Sequence, residues 1–443
     1  MFTPWVLLVD VGIISILLLV GKLIRAKVKF IQHLFIPPSL IAGFSALLLG
    51  PEVLGWLPIS TSTGTYASVL IALVFACLPL TSGKTKGSQG VGRMWAYSQA
   101  GLLLQWALGG AVGMFLINKI WPLNEAFGLS MPAGFCGGHG TAAAIGEAFG
   151  KYGFEEMMSL AMTAATVGII CAVVIGLGLI KWAANHGHAA FLDKYSDLPD
   201  ELRTGILPKD KRESIGEASF SAISLDSMTF NFGTIAFIAL GGYGISKLIA
   251  LIWPALMLPV FSCAFIFGLL VKFLLNKTGY IQYVSKKTVS HLSGAFTDYL
   301  VAFGVASIKL EVVGKFIVPI LILLTVGLLC TLAYVFLLGR RIHKTCWFEK
   351  SIFTWGWFTG TMAMSIALLR IADPDMKSNC MDDYAFAYIY IAPVEIALVS
   401  LSPVAFASGG GGIFIGICAV AGAAILAFAA AKGWIGKPAE RIK

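Results

Sequence analysis

Long apolar runs are the feature that most constrains how this chain can fold. A helix that crosses a bilayer needs about 20 consecutive apolar residues, and such runs recur throughout the 443-residue sequence. Only 12% of the residues are charged, against roughly 25% in soluble domains. The sequence therefore predicts an all-α polytopic membrane protein. The expected spans are 5–24, 34–50, 65–82, 95–118, 157–182, 228–250, 254–275, 291–308, 314–338, 384–406 and 411–432, with two interrupted apolar segments at 128–150 and 351–372.

Lys and Arg are concentrated in alternate loops, and basic loops favour the cytoplasmic side of a membrane. The net charge of +9 comes from this excess and requires no nucleic-acid partner. The alternation holds only if both interrupted segments enter and leave on one side, as re-entrant hairpins. We expect the N-terminus outside and the C-terminus in the cytoplasm, with the first helix retained because its basic residues follow the apolar run. The basic regions are 22–33, 83–94, 185–226, 276–290, 339–350 and the tail from Lys432.

One long polar connection, 185–226, divides the chain almost in half. It contains Asp197, Asp200 and Glu201 and is too short to bury a sizeable core. We expect a solvated, partly helical cytoplasmic linker. The eight cysteines form no C-x-x-C pair and mostly lie in apolar runs, which favours small buried hydrophobes over a metal site or a disulfide framework.

The stretch FCGGHGTAAAIGEAFG, from Phe135 to Gly150, interrupts an apolar segment with glycines and polar residues. Lipid offers no water to freed backbone groups, so such a break must be buried in protein or line a wet cavity. Transporters place substrates and ions at breaks of this kind. A glycine-rich helix crossing and a surface loop are the alternative interpretations. A proton relay and a metal ligand are the other roles considered for His139, but no second His or Cys stands at metal-ligand spacing, and we expect a structural or hydrogen-bonding histidine.

The two halves of the chain share an order of elements: a helix, a Pro-bearing helix, two helices, a hairpin and a helix. By loop charge the halves have opposite orientations. The sequence therefore predicts two inverted-topology repeats of about five spans each, at 1–184 and 227–406, as is typical of secondary transporters. An extra span and tail follow at 407–443. The matching positions are Gly12 and Gly233, Pro38 and Pro259, and Gly140-Thr141 and Gly360-Thr361, at offsets of 220 or 221 residues.

FCGGHGTAAA in the first hairpin and IPPSLIAG at 36–43 resemble the glutamate:sodium symporter family, the bacterial sodium-coupled glutamate carriers. The second hairpin, WFTGTMAMSIALLRIADPD, is similar to longer, divergent members, whereas shorter members carry a Gly-Ala-Thr-Pro-like tract there. The resemblance implies sodium as coupling ion and a homodimer in the bacterial inner membrane. It also implies a dimerising scaffold, a mobile substrate-carrying core, and two hairpins that meet near mid-membrane.

A carrier of an acidic amino acid must hold an anion and sodium in apolar surroundings. Helix N-termini and backbone N–H groups favour the anion, and freed carbonyls and hydroxyls suit sodium. We expect the two hairpins to supply both. The expected substrate-binding residues are Gly138, His139, Gly140, Thr141, Thr359, Gly360, Thr361, Ser365 and Arg370, and the expected sodium-binding residues are Gly137, Thr141, Asp298 and Thr361.

Three ionisable residues in the predicted spans and hairpins are functional candidates, because charge is costly there. Arg370 either binds a substrate carboxylate with its planar fork, or reaches the inner surface or pairs with Asp373. Asp298 is either a sodium ligand or a structural partner for a helix end. Glu395 either carries coupling charge or pairs with Arg370.

The sequence favours sodium-coupled uptake of glutamate or a related acidic amino acid by alternating access. A sodium- or proton-coupled carrier of another carboxylate, including an antiporter, is the related alternative. A channel or a membrane sensor is the alternative from another class, although no repeated filter residues and no sizeable output domain are evident. Enzymatic function is not expected, because no nucleophile–base constellation and no phosphate-binding loop stands out.

Overall fold

The computed structural model describes residues 3–33, 36–81, 90–191, 204–212, 214–221, 223–253, 258–374 and 376–439. Within these ranges the chain forms helices and connecting segments and no strand. Asp197, Asp200 and Glu201 of the predicted linker lie outside them, as does Asp375. The helices are α1 Pro4–Lys27, α2 Lys29–His33, α3 Pro38–Leu49, α4 Thr63–Thr81, α5 Val91–Ala111, α6 Ser130–Phe135, α7 Gly138–Gly150, α8 Glu156–Asn185, α9 Ser227–Ile252, α10 Val260–Thr278, α11 Lys286–Ala306, α12 Leu310–Lys315, α13 Ile317–Ala333, α14 Gly339–Ile342, α15 Trp347–Thr359, α16 Met362–Ala372, α17 Cys380–Ala407 and α18 Gly411–Ala431.

Nine helical segments in the described ranges are long and apolar enough to cross a membrane. They coincide with nine of the predicted spans, as expected for a polytopic membrane protein. The other two predicted spans differ. Of the segment 34–50, the structure describes residues 36–50, and these form the 12-residue helix α3, which follows Pro37 and ends before Gly50. The segment 291–308 lies in α11, which starts earlier, at Lys286, and is less apolar than the nine.

The first interrupted segment contains a helix break, as its glycines predict. Helix α6 ends at Phe135 and α7 begins at Gly138. Gly137 and Gly138 have φ angles of 99° and 63°. Other residues adopt this left-handed conformation only with strain, so the local sequence itself ends one helix and starts the next.

The second interrupted segment also contains a break, but a threonine cap defines it. Helix α15 ends at Thr359, and Gly360 follows with φ −144°. The Thr361 side chain accepts a hydrogen bond of 3.3 Å from the backbone N–H of Met364. This is the usual N-cap arrangement, in which a hydroxyl satisfies an unpaired donor of the first turn. It starts α16 without a left-handed glycine.

The helices pack as two groups. In the α4/α11 group (α1, α3, α4, α9, α10 and α11), α4 packs against α10 and α11, and α3 packs against α1 and α11. In the α7/α8 group (α5 to α8 and α13 to α18), α8 packs against α6, α7 and α15, and α5 packs against α17 and α18. The groups meet where α7 contacts α4 and α11. The first break is therefore close to the boundary between them.

A buried polar contact recurs at matching positions of the two halves. Asp10 in α1 accepts a hydrogen bond of 2.8 Å from the backbone N–H of Ser60, just before α4. Asn231 in α9, 221 positions later, accepts one of 2.9 Å from the N–H of Ser285, just before α11. Both side chains are fully buried. Each therefore ties the first helix of its half to the start of a later one.

Two backbone features are paired at an offset of 222 residues, so that Pro259 corresponds to Pro37 and not to Pro38, its predicted match. Pro37 precedes α3 and Pro259 precedes α10, both in an extended conformation with φ near −63°. A π-helical turn follows α5 at Val112–Leu116, and another follows α13 at Tyr334–Leu338.

Candidate functional site

A cavity of about 450 Å³ lies between the two groups of helices and is lined by both breaks. It has apolar walls with a limited number of polar groups, as is usual for sites that bind small molecules. The α4/α11 group contributes the polar residues Arg25, Ser39, Thr297 and Asp298, and the α7/α8 group contributes Gly137, His139, Gly140, Thr141, Thr361, Tyr388 and Glu395.

The two breaks meet at Gly138. A Cβ atom on Gly138 would lie 2.6 Å from Cγ2 of Thr361 and 2.8 Å from the carbonyl oxygen of Gly360. Only a glycine allows this approach of one backbone to the other. The N-termini of α7 and α16 are consequently side by side. Both present first-turn N–H groups and the positive end of a helix dipole, which together favour an anion.

Glu395 of α17 reaches the first break. Its Oε2 accepts a hydrogen bond of 3.1 Å from the hydroxyl of Tyr388. The hydroxyl of Thr141 also hydrogen-bonds to this carboxyl group. A Cβ atom on Gly137 would lie 3.0 Å from Oε1. The carboxyl group is therefore packed directly against the backbone of the break.

Arg25 and Asp298 face the cavity from the opposite group of helices. Arg25 is half-buried in the last turn of α1. Asp298 lies within α11, where Ser39 hydrogen-bonds to it and the charge of Lys22 acts on it. A cation and an anion on one wall can receive the carboxylate and the amino group of an amino acid.

His139 is fully buried and points toward α8, where its Nε2 lies 3.0 Å from Oγ1 of Thr166. No group of three or more His, Cys, Asp or Glu residues arranged to hold a metal occurs among the described residues. The contact with Thr166 agrees with the hydrogen-bonding role expected for this histidine.

The other predicted site residues occupy different positions around the second break. The hydroxyl of Thr359 donates to the carbonyl of Trp355 at 2.7 Å, and that of Ser365 donates to the carbonyl of Thr361 at 3.3 Å. Both are engaged within their own helix region, and neither lines the cavity. The structure thus brings Gly137, His139, Gly140, Thr141, Asp298 and Thr361 to the cavity, with Gly138 and Gly360 at the contact behind it.

Arg370 is exposed in the last turn of α16 and does not line the cavity. Asp373, considered as its partner, is fully buried and accepts hydrogen bonds from the backbone N–H groups of Lys377 (2.9 Å) and Ser378 (2.7 Å). Glu395, the other partner considered, accepts a hydrogen bond from Tyr388.

Sequence reasoning missed Arg25, Ser39, Trp357 and Tyr388, which all line the cavity. Arg25 follows the first apolar run, where a charge of a cytoplasmic loop is the usual interpretation. Its position at the end of the first apolar run, shortly before Pro37 and Pro38, is the signal that the sequence offers. Trp357 and Tyr388 are aromatic residues in apolar segments, where a core position is the usual interpretation.

Helices interrupted around a shared central cavity are typical of secondary transporters, and this fold and cavity fit that class of membrane protein. The sequence model of the sodium/glutamate symporter family matches residues 7–345. The chain belongs to this family, which confirms the resemblance of its first hairpin. The second break, Tyr388 and Glu395 lie beyond the matched residues.

Three individual proteins are also similar to this chain. The sodium/glutamate symporters of Escherichia coli (strain K12) and Shigella flexneri are each 24% identical over 340 residues, which cover 74% of this chain and 79% of the relative. A shorter similarity, 24% over 134 residues, links 30% of the chain to 21% of the human multidrug and toxin extrusion protein 1.

Proposed function

We propose that this protein is a secondary active transporter that couples the uptake of glutamate, or a closely related acidic amino acid, to sodium by alternating access. One observation carries the proposal: two helix breaks meet at a cavity in a member of the sodium/glutamate symporter family. The paired N-termini of α7 and α16 favour the anionic substrate. The freed backbone and hydroxyl groups of the breaks suit sodium.

The charged groups of the cavity divide between substrate and ion. Among the described residues, Arg25 is the arginine that lines the cavity, and in this scheme its guanidinium binds a substrate carboxylate. Thr141 and Thr361 offer hydroxyl oxygens, and Gly137 offers freed backbone, for sodium. Asp298 faces them across the cavity and either completes the ion site or receives the substrate amino group. The carboxylate-binding role of Arg370 stays a prediction.

The two halves, 1–184 and 227–406, act in this proposal as inverted repeats joined by the linker 185–226. Support comes from the paired contacts of Asp10 and Asn231 and from the paired π-helical turns. The broken segments are then re-entrant hairpins, and 407–443 is an extra span and tail.

Membership of the family supports a place in the bacterial inner membrane, and the alternating basic loops support an N-terminus outside and a C-terminus in the cytoplasm. The resemblance to the family supports a homodimer. In this arrangement the α4/α11 group is the dimerising scaffold. The α7/α8 group, which contains both breaks, is the mobile core.

Uptake of labelled glutamate into proteoliposomes, with and without an inward sodium gradient, tests the proposal. We expect accumulation that requires sodium and is saturable, with Asp298→Asn lowering the rate. Flux that is independent of sodium, or no flux of any acidic amino acid, would overturn it. Flux without saturation would instead indicate a channel.

A second candidate is coupled transport of a different carboxylate. One observation favours it: the second break, Tyr388 and Glu395 lie outside residues 7–345, which the family model matches. Competition for glutamate uptake by a panel of dicarboxylates and amino acids distinguishes the two. Stronger inhibition by a dicarboxylate without an amino group would favour the second candidate.

A further inference from the structure

Glu395 is a buried carboxyl group whose hydrogen-bonding partners carry no positive charge. Only 8% of the surface of Glu395 is exposed. In the described part of the chain those partners are the hydroxyls of Tyr388 and Thr141. The centroid of the Trp357 ring lies 6.4 Å from that of the Tyr388 ring, and Trp357 lines the same cavity.

A carboxylate in such a place is costly unless a positive charge neutralises it. Hydroxyl donors stabilise the oxygens but leave the net charge. Among the described residues that line the cavity, Arg25 is the one Lys or Arg, and it belongs to the opposite wall. A small cation is the remaining way to supply that charge while keeping the oxygens ionised.

We infer that Glu395 and Thr141 hold the coupling sodium ion against the first helix break. This inference rests on the proposed function and assigns its ion site to a residue beyond the part of the chain matched by the family. The carboxylate and the hydroxyl supply the hard oxygen ligands that such an ion prefers. Gly137 allows the approach, because a side chain there would collide with both groups.

The position of the site explains how the ion is coupled to substrate. The ion links α17 to the break between α6 and α7, and Gly138 of that break packs on Thr361 of the other. Sodium binding therefore orders the contact at which both helix N-termini meet. Coupling is reciprocal, so substrate at those N-termini also tightens sodium binding.

Thermal unfolding of the purified full-length protein, without substrate, tests the inference. The melting temperature, Tm, is measured in increasing sodium chloride with choline chloride keeping the ionic strength constant. A ligand that binds only the folded state raises Tm in a saturable manner. We expect this rise in the wild type and its loss in Glu395→Gln, whose Tm in choline should equal or exceed that of the wild type.

Three further variants separate ligation from folding. Glu395→Asp keeps the charge and should keep a sodium response at higher concentration. Thr141→Val keeps the shape of the side chain and should lower the affinity for sodium by about tenfold, the usual effect of one lost polar contact. Glu311→Gln removes an exposed carboxylate of α12 and should respond like the wild type.

Equal sodium responses of Glu395→Gln and the wild type would overturn the inference. So would a wild-type Tm that responds to acidification but not to sodium, since a proton would then neutralise Glu395. A response only to added amino acid would overturn it in favour of the substrate ammonium group. A sodium response that depends on Glu395, without glutamate uptake, would support this site and refute the proposed substrate.

Discussion

Gly138 lies against Thr361, with room for a hydrogen atom but not for a methyl group. We predict that Gly138→Ala separates the breaks, because the new Cβ would lie 2.6 Å from Cγ2 of Thr361 and alanine is strained at φ 63°. The cost should be about 2–4 kcal/mol of stability, with loss of transport. Thermal unfolding and proteoliposome uptake measure both effects.

The matched control is Gly150→Ala at the other end of α7, where a Cβ would meet nothing within 4 Å. It should unfold and transport like the wild type. Similar behaviour of the two alanine variants would contradict the close contact of the breaks.

Two buried glutamines of α5 should respond oppositely to replacement by leucine. Gln105 donates from Nε2 to the carbonyl of Phe358 at 2.9 Å and to Oγ1 of Thr331 at 3.0 Å. Gln105→Leu leaves that carbonyl, next to the end of α15, without its partner and should cost about 1–3 kcal/mol.

Gln99 is also buried, but its amide nitrogen and oxygen have no hydrogen-bond partner among the described residues. Gln99→Leu removes an unsatisfied polar group and should leave Tm unchanged or raise it. Thermal unfolding of both variants in the same detergent is the measurement. A larger loss in Gln99→Leu than in Gln105→Leu would contradict these assignments.

Arg25 and Arg370 are the two arginines considered for the substrate carboxylate, and only Arg25 lines the cavity. Replacing each by lysine keeps the charge that orients the spans but removes the bidentate fork. We expect Arg25→Lys to raise the KM for uptake by about tenfold and Arg370→Lys to leave it within about twofold. The opposite result would restore the role predicted for Arg370 from the sequence.

Glu349, at the start of α15 and before the apolar segment 351–372, should make stability depend on pH. Burial raises the pKa of its carboxyl group from about 4.5 to about 7, although Oε1 accepts a 2.6 Å hydrogen bond from the N–H of Ala190. The folded state thus binds the proton more tightly than the unfolded state. Stability is greatest below the unfolded pKa and is lost as the pH rises through about 7.

Glu349→Gln keeps an acceptor for Ala190 and removes the titration. The Tm of this variant minus that of the wild type should therefore increase between about pH 5 and pH 7.5 and then level off. A difference that does not change with pH would show that Glu349 does not titrate in this interval.

Features that depend only on residues adjacent in the sequence were predictable from the sequence. The apolar runs predicted the nine span-length helices, because crossing a bilayer requires length and hydrophobicity that a single segment supplies. Gly137 and Gly138 predicted a break, since their freedom at positive φ is a local property. The first hairpin also identified the family. Helix α3 is shorter than the predicted span for an equally local reason, the prolines before it.

The composition of the cavity was decided by the tertiary structure. The side chains of Thr141 and Glu395 are hydrogen-bonded although 254 positions separate them in the sequence. Arg25 of α1 faces the same cavity from another group of helices. Arg370, an arginine in an apolar segment, is exposed at a helix end. Hydropathy places a residue along its helix, but its direction depends on which helices pack around it. That packing is settled by contacts between distant segments.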